Sequence, residues 1–212
     1  MWALIKDNKI EQIYQRPKSL LIGEVRYPSN MFTKYTDAEK AAIGIYPVED
    51  NGTKGNNRFE NTSQATYSFS ASDKKVTTSY TITAKSLVDV NDVDEDGNAI
   101  KDYKGNQTVT LGLKSIAKEK AKQHANNLIS RFNWLVERSI YDSSKTIPSA
   151  VGTYVGDIKT DCAAIEAAID AASDMTAFKS LYENTYNSDG TINVVARVNR
   201  WSDDYDVKEY VR

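Results

Sequence analysis

Three carboxylates at alternate positions are the clearest candidate for site chemistry in this sequence. Asp92, Asp94 and Asp96 are followed by Gly97 and Asn98. Alternate oxygen donors ahead of a glycine that permits a sharp turn are typical of the first half of a calcium-binding loop. Asp92, Asp94, Asp96 and Asn98 are therefore the candidate metal ligands, and calcium is the one cofactor that the sequence suggests.

The second half of the same loop departs from the calcium pattern. The twelfth position, where such loops supply a bidentate glutamate, is Tyr103. No helical pattern precedes the loop. Two interpretations stay open: an acidic surface turn whose Asp-Gly-Asn forms a hairpin tip, or a low-affinity cation site.

Neither the single histidine nor the single cysteine belongs to a recognisable catalytic pattern. His124 lies near an apolar stripe, which predicts a partly buried packing side chain rather than a metal ligand or a catalytic base. Cys162 lies in an alanine-rich helical pattern and is predicted to be a small buried core residue. The sequence favours a protein that is not an enzyme, although 29 acidic residues leave catalysis by a carboxylate pair open.

The charge balance argues against nucleic acid and membranes as partners. The 212 residues carry a net charge of −2 with both signs interspersed, whereas nucleic-acid-binding surfaces are strongly basic. No stretch approaches the ~20 apolar residues that a membrane-spanning helix needs, and the first residues do not form a signal peptide. We expect a protein that is made in a cytoplasm and is kept there or assembled there into a larger particle.

The longest helical pattern covers residues 113–141. Apolar residues recur at steps of three and four, which places them on one side of a single helix on the order of 40 Å long. Internal packing and an oligomer seam are both open as roles for this helix. Lys120 and His124 interrupt the heptad spacing that a seam needs, which favours internal packing.

Two further helical patterns follow this one. Pro148 suits the first turn of a helix that keeps its apolar spacing to Ser173. Asp174 is then placed to cap a third helix. The predicted apolar face of that helix contains Phe178, Leu181, Tyr182 and Tyr186.

Alternating apolar and polar residues predict β-hairpins near the start of the chain. They are expected over residues 2–14, 20–27 and 65–83, each around a polar turn. Residues 45–48 are expected to form an extended edge strand.

A short helix is predicted between the second hairpin and residues 45–48. Thr36 and Glu39 have the spacing of a capping box, in which each residue bonds the backbone of the other. Gly44 is the expected residue just past the end of this helix, because glycine adopts the left-handed conformation freely.

These elements predict an α+β fold. An N-terminal antiparallel β-hairpin region is followed by a C-terminal antiparallel helical region with one long helix. The expected domains are residues 1–86, a β-rich attachment or docking domain; residues 87–111, an acidic linker or hairpin; and residues 112–212, a helical domain.

The aromatic residues suggest subunit contacts. Thirteen tyrosines against five phenylalanines favour half-wet surfaces, since tyrosine combines an apolar ring with a polar hydroxyl. Exposed strands in residues 2–14 could also pair with the sheet of a neighbour. The candidate interface residues are Trp2, Tyr14, Tyr27, Tyr46, Trp134, Trp201 and Tyr210.

Several segments, taken in order, resemble small structural proteins of tailed bacteriophages, especially marine ones. Residues 27–48, YPSNMFTKYTDAEKAAIGIYPV, resemble the opening domain of those proteins. Residues 132–138, FNWLVER, resemble a helix-ending "D-W-x-V-x-R", with Asn133 in place of the acidic residue. Residues 146–154 resemble the "A-V-P-x-x-V-x-x-Y" that begins the next helix.

The C-terminal part carries the rest of the resemblance. Residues 167–181, AAIDAASDMTAFKSL, are similar to the C-terminal helices of those phage proteins. Residues 199–201, NRW, are similar to their "x-x-W-P" ending, with Ser202 in place of the proline.

The resemblance implies a structural component of a virion, in the tail, baseplate or fibre-attachment region, and carries no catalytic residue onto this chain. The implied partners are other phage tail or fibre proteins and further copies of the chain, assembled in the host cytoplasm. Two other functions stay open. One is a chaperone for tail-fibre assembly, and the other is a calcium-dependent glycan- or cell-surface-binding module or a hydrolase whose site the sequence does not reveal.

Overall fold

The computed structural model describes residues 1–211, in which an N-terminal sheet is followed by C-terminal helices. This arrangement confirms the predicted α+β class. The chain divides into two units, Met1–Ala84 and Lys85–Arg212, each with its own apolar core. Residues 87–111 therefore belong to the second unit.

The first unit consists mainly of short strands. Two small helices, α1 (Met31–Lys34) and α2 (Asp37–Ala42), lie between the fourth strand and the fifth. The strands are β1 (Trp2–Lys6), β2 (Lys9–Tyr14), β3 (Leu20–Ile22), β4 (Val25–Tyr27), β5 (Ile45–Glu49), β6 (Glu60–Thr62), β7 (Thr66–Ser70), β8 (Lys75–Ser79) and β9 (Ile82–Ala84).

The predicted hairpins form, and five strands join in one sheet. Its order is β2-β1-β5-β8-β7, while β3 pairs with β4 and β6 with β9. Asp7 and Asn8 make the first turn with φ of 50° and 60°, a conformation that short polar side chains tolerate. The second half of the hairpin predicted over residues 65–83 is split between β8 and β9, which pair in different sheets.

Strand β5 lies inside the five-stranded sheet, so its prediction as an edge strand is wrong. It pairs antiparallel with β1 and parallel with β8, where Val48 is opposite Val76. Pro47 has no backbone N–H to donate to a neighbouring strand. The next residue, Val48, donates its N–H to the Met1 carbonyl at 3.0 Å, so the bond to the first strand is still made. The parallel pairing is a long-range contact that no hairpin pattern reveals.

Both faces of this sheet are covered by apolar side chains. On one face Ala3, Ile5, Val48 and Val76 form a core, and β2 contacts β7 across it, so the sheet curls over that face. On the other face Leu4, Tyr14 and Ile45 pack against Leu20, Met31 and Phe32.

The capping box of α2 is confirmed. The Glu39 N–H donates to Thr36 Oγ1 at 3.3 Å, and the Thr36 N–H donates to Glu39 Oε2 at 2.7 Å. Gly44 ends the turn with φ of +79°, and a β-carbon at this position would lie 2.6 Å from the Ile5 carbonyl oxygen. Only glycine satisfies both demands.

The second unit consists mainly of helices. Two short strand pairs and two 3-10 helices, Arg197–Asn199 and Tyr205–Tyr210, complete it. Its strands and α-helices are β10 (Val90–Asn91), β11 (Val109–Thr110), α3 (Leu113–Ser130), α4 (Asn133–Tyr141), α5 (Ser149–Ala171), α6 (Met175–Ser180), β12 (Thr185–Tyr186) and β13 (Ile192–Val194).

The prediction of one continuous helix over residues 113–141 is wrong. The helix breaks at Arg131 and Phe132, and α5 is the longest helix among residues 1–211. Phe132 is 3% exposed, and its ring meets the edge of Tyr154 at a centroid distance of 5.7 Å. Phe132 and Leu135, on either side of the start of α4, both lie in the helical core.

Helix α3 packs along α5, so internal packing is the role that the structure gives it. Its buried positions include Ala117, Ala121 and Ala125, small residues four apart that let two helices approach closely. Lys118 bonds Asp170 of α5 at 2.8 Å.

The C-terminal residues pack back onto the helices. Val207 is buried among them, the Trp134 indole N–H donates to the Tyr210 carbonyl at 2.9 Å, and the Ser202 N–H donates to Asp161 at 2.7 Å. The cap of α6 is confirmed, since Asp174 Oδ1 accepts from the Ala177 N–H at 2.8 Å. However, α6 ends at Ser180 with Leu181 as its C-cap, so the placement of Tyr182 and Tyr186 on the helical face is wrong: Tyr182 lies in the following turn and Tyr186 in β12.

Candidate interaction site

An eight-residue repeat lies where the sequence suggested a calcium loop. Asp94, Gly97 and Asn98 recur as Asp102, Gly105 and Asn106 in the pattern D-x-x-G-N. Each copy forms a tight turn, and the two turns lie between β10 and β11. We call residues 88–111 the double-turn segment.

The first turn is closed by the side chain of Asp94. Its Oδ1 accepts from the backbone N–H groups of Asp96 at 3.0 Å and Asn98 at 2.8 Å. Gly97 supplies the left-handed conformation, with φ of +83°. The hydrogen bond from the Asn98 N–H holds the pKa of Asp94 below its usual value.

The second turn repeats this geometry. Asp102 Oδ1 accepts from the N–H groups of Lys104 at 2.8 Å and Asn106 at 2.9 Å, and Gly105 has φ of +85°. The bond from Asn106 lowers the pKa of Asp102 in the same way. The sequence analysis missed this copy, although the repeated D-x-x-G-N would have located it.

A closed ring of backbone hydrogen bonds joins the two turns. The Ile100 N–H donates to the Asp92 carbonyl at 3.0 Å, the Thr108 N–H to the Ile100 carbonyl at 2.8 Å, and the Asp92 N–H to the Thr108 carbonyl at 3.0 Å. Nε2 of Gln107 lies 2.7, 3.2 and 2.9 Å from the carbonyl oxygens of Asp92, Ile100 and Thr108. One amide group thus lies at the centre of the ring.

The four candidate calcium ligands are not brought together around a metal position. Asp94 is used by its own turn, and Asp92 Oδ1 accepts from the Thr110 hydroxyl at 2.6 Å. Asn98 donates its side-chain amide to Asp94, while Asp96 is exposed. Within residues 1–211 no group of three histidine, cysteine or acidic side chains is arranged to hold a metal ion. The structure forms the acidic hairpin tip, the first of the two interpretations, and cation binding at this turn stays a prediction.

The base of the double-turn segment is fixed to the start of α3. Asp89 Oδ1 accepts from the Gly112 N–H at 2.7 Å, and this bond lowers the pKa of Asp89. A β-carbon on Gly112 would lie 2.3 Å from the carbonyl carbon of Val88. The Leu113 N–H also donates to the Ser86 carbonyl at 2.9 Å. The segment is therefore held at both its tips and its base.

Large apolar side chains are concentrated on the surface of this segment. Tyr103 at the second turn is 92% exposed. A run of exposed apolar residues in so short a segment is typical of an interaction surface. The exposed apolar residues of the double-turn segment are Val88, Val90, Val93, Ile100, Tyr103, Val109 and Leu111.

The aromatic residues proposed for interfaces pack inside their own units. Tyr14 is buried, and the other six are half-buried. Their use in subunit contacts stays a prediction, and the exposed surface of the double-turn segment consists of different residues. The packed set is Trp2, Tyr14, Tyr27, Tyr46, Trp134, Trp201 and Tyr210, of which Trp2 contacts Phe32, Tyr46 contacts Phe69 and Trp201 contacts His124.

His124 and Cys162 differ from their predicted burial. His124 is exposed rather than partly buried, because it lies on the outer side of α3, where its ring packs on Trp201 at a centroid distance of 4.9 Å. Cys162 is half-buried at the edge of the helical core rather than fully buried. Burial raises the pKa of the Cys162 thiol, which disfavours the reactive thiolate.

Comparison of the chain with known protein families, curated proteins and solved structures finds no match. The phage resemblance therefore stays a prediction from the sequence motifs. In the part of the chain that the structure describes, no helix is long and apolar enough to cross a membrane.

Proposed function

We propose that the protein is a non-enzymatic structural component of a tailed-phage virion, in the tail, baseplate or fibre-attachment region. It acts by assembling with further copies of itself and with other tail or fibre proteins after synthesis in the host cytoplasm. The sequence motifs support the phage setting, and the double-turn segment supports a role in assembly.

The observation that carries the proposal is the exposed apolar surface of a rigid element. Soluble monomers rarely leave such a run of side chains in water, because its burial is favourable. Hydrogen bonds from Asp94, Asp102 and Gln107 hold this surface in shape before any partner binds. A preorganised surface loses little conformational entropy on binding, which favours permanent assembly.

The geometry favours assembly over the calcium-dependent alternative, which stays a prediction. The carboxylates of Asp92 and Asp94 accept hydrogen bonds within the segment, and among residues 1–211 no group of three acidic, histidine or cysteine side chains is arranged around a metal position. The double-turn segment takes its shape from hydrogen bonds within the chain.

Quantitative mass spectrometry of purified particles of the encoding phage tests the proposal. We expect the protein at a definite copy number, a multiple of three or six when scaled to the major capsid protein, because virion components follow the symmetry of the particle. Absence from particles despite expression in infected cells would overturn the proposal and would support a chaperone for tail-fibre assembly.

A further inference from the structure

The exposed surface of the double-turn segment is acidic as well as apolar. Residues 88–111 contain six carboxylates and two lysines. Glu95 and Asp96 lie at the exposed first turn, and within residues 1–211 neither carboxylate takes part in a hydrogen bond or ion pair. A partner for this surface needs apolar side chains with positive charges around them.

A hairpin in the first unit has the complementary composition. Leu21 in β3 and Val25 in β4 are 65% and 54% exposed. Residues 16–27 also expose three basic side chains, Arg16, Lys18 and Arg26, and one acidic side chain, Glu24. Arg26 is directly opposite Leu21 in the strand register. We call residues 16–27 the basic hairpin.

A groove lies beside the basic hairpin. Its volume is about 290 Å³, which exceeds that of a tyrosine side chain, and its apolar walls include Leu4, Ile22 and Ile43. Lys6 and Glu11 also line it and can bond a phenol hydroxyl. An exposed aromatic side chain on a rigid turn is the kind of anchor that fills such a groove.

We propose that the double-turn segment of one copy binds the basic hairpin of a second copy, with Tyr103 in the groove. Opposite charge, exposed apolar residues on both surfaces, and the match of an anchor to a groove all favour a second copy as the occupant. The inference rests on the proposed function and names the partner of the same surface.

The two surfaces are different, so the contact is head-to-tail. Each copy keeps one free segment and one free hairpin after pairing, and association continues until a ring closes or a filament grows. Because charges contribute to the contact, it weakens as salt concentration rises.

Two variants of the full chain separate the two surfaces. Arg26→Glu makes the hairpin repel the acidic segment, and Tyr103→Asp removes the anchor and adds a further negative charge. Both residues are exposed, so neither change disturbs a core. In sedimentation velocity we expect concentration-dependent association of the wild-type chain, and a dissociation constant raised about tenfold or more in each variant.

An equimolar mixture of the two variants gives the decisive measurement. The intact segment of the Arg26→Glu copy can bind the intact hairpin of the Tyr103→Asp copy, while every other pairing is blocked. We expect a one-to-one dimer and nothing larger. Lys145→Glu and Tyr141→Asp are matched controls, since both positions are exposed and lie outside the two surfaces, and they should associate like wild type.

A wild-type chain that stays monomeric at all concentrations and salt conditions would overturn the head-to-tail contact, as would variants that associate like their controls. A mixture without dimers would overturn it too. These outcomes leave the virion proposal standing if particles still contain the protein at a definite copy number. If the protein is absent from particles and the mixture still forms a one-to-one dimer, the virion proposal is overturned and the head-to-tail contact stands.

Discussion

The side-chain amide of Gln107 lies at the centre of the double-turn segment. Its amide lies within 3.2 Å of three backbone carbonyl oxygens that already accept the N–H bonds of the ring. A hydrogen-bond donor at this point offsets the mutual repulsion of three converging carbonyl dipoles. A calcium loop would place an ion among its oxygens, whereas this segment uses a side chain of the protein.

Replacement of Gln107 by alanine should destabilise the segment. We expect a loss of about 1–2 kcal/mol in the free energy of unfolding, because carbonyl oxygens lose a donor in a half-buried place. Urea denaturation followed by circular dichroism measures the loss. Gln123→Ala, at an exposed position of α3, is the matched control and should change stability little.

Asp94 and Asp102 should make the segment sensitive to acid. Their folded-state pKa values are lowered by the backbone N–H bonds of Asn98 and Asn106, so the ionised carboxylates stabilise the folded form. That contribution is complete above the unfolded pKa of about 3.9 and is lost as the pH falls through the lower folded values.

Nuclear magnetic resonance titration of the carboxyl carbons tests this acid sensitivity. We expect apparent pKa values for Asp94 and Asp102 below that of a model peptide, with the amide signals of Asn98 and Asn106 shifting in the same pH range. Unshifted carboxyl titrations would contradict the turn geometry.

The elements are fixed by a few positions where the backbone has one acceptable residue. Gly44 combines a left-handed conformation with a close approach to the Ile5 carbonyl, and this contact sets the position of β5 beside β1. Gly23 also has a positive φ, of +61°, but nothing lies within 4 Å of its would-be β-carbon. A substitution at Gly23 therefore tests conformational strain alone, whereas a substitution at Gly44 tests strain together with steric overlap.

Gly44→Ala should cost clearly more stability than Gly23→Ala. The second change should cost about 1–2 kcal/mol, the strain of a left-handed alanine. The first adds a 2.6 Å contact with a backbone oxygen, which forces a strand to move. Thermal unfolding of both variants measures the difference, and equal losses would show that the close approach does not matter.

A buried aromatic residue, Phe132, lies at the break between α3 and α4. Its ring lies in the helical core with Val151, Tyr154 and Ile158, and its N–H donates to the Ile129 carbonyl, three residues back, at 3.0 Å.

Phe132→Ala should therefore be strongly destabilising. We expect a loss of about 3–5 kcal/mol from the missing contacts and the cavity left behind. Tyr141→Ala, a change at a 90% exposed aromatic position, should cost no more than about 0.5 kcal/mol. Guanidinium unfolding of the two variants provides the comparison.

The whole molecule consists of two units with separate cores. Both apolar clusters of the first unit lie within residues 1–84, and the helical cluster lies within the second. The first unit is slightly basic and the second acidic, with net charges of about +2 and −4 at neutral pH. In a head-to-tail contact, the acidic second unit of one copy meets the basic first unit of the next, so opposite charges face each other.

A fragment of residues 1–84 should fold without the rest of the chain. We expect a β-rich circular dichroism spectrum and cooperative unfolding, because β1, β5 and β8 and both clusters are all present. A fragment of residues 1–62 lacks β7 and β8 and should be unfolded. An unfolded 1–84 fragment would show that its clusters are too small to be stable alone.

Short-range features of this protein could be predicted from the sequence. The Asp7-Asn8 turn, the Thr36 capping box and the Asp174 cap depend on residues two to four positions apart, and the structure has all three. Within the site, the acidic turn at Asp94 was one of two interpretations that the residue spacing allowed. Side chains such as Asp and Thr bond backbone groups a few residues away, so these features depend only on nearby sequence.

The tertiary structure determined the features that join distant residues. The pairing of β5 with β8 spans 28 positions, the hydrogen-bonded ring around Gln107 joins residues 92, 100 and 108, and the core around Phe132 includes residue 207. In each case a local pattern, such as an edge strand, a calcium loop or a continuous helix, gave way to a contact that buries more apolar surface or satisfies more backbone groups. Local spacing cannot predict that outcome, because the competing partners lie far along the chain.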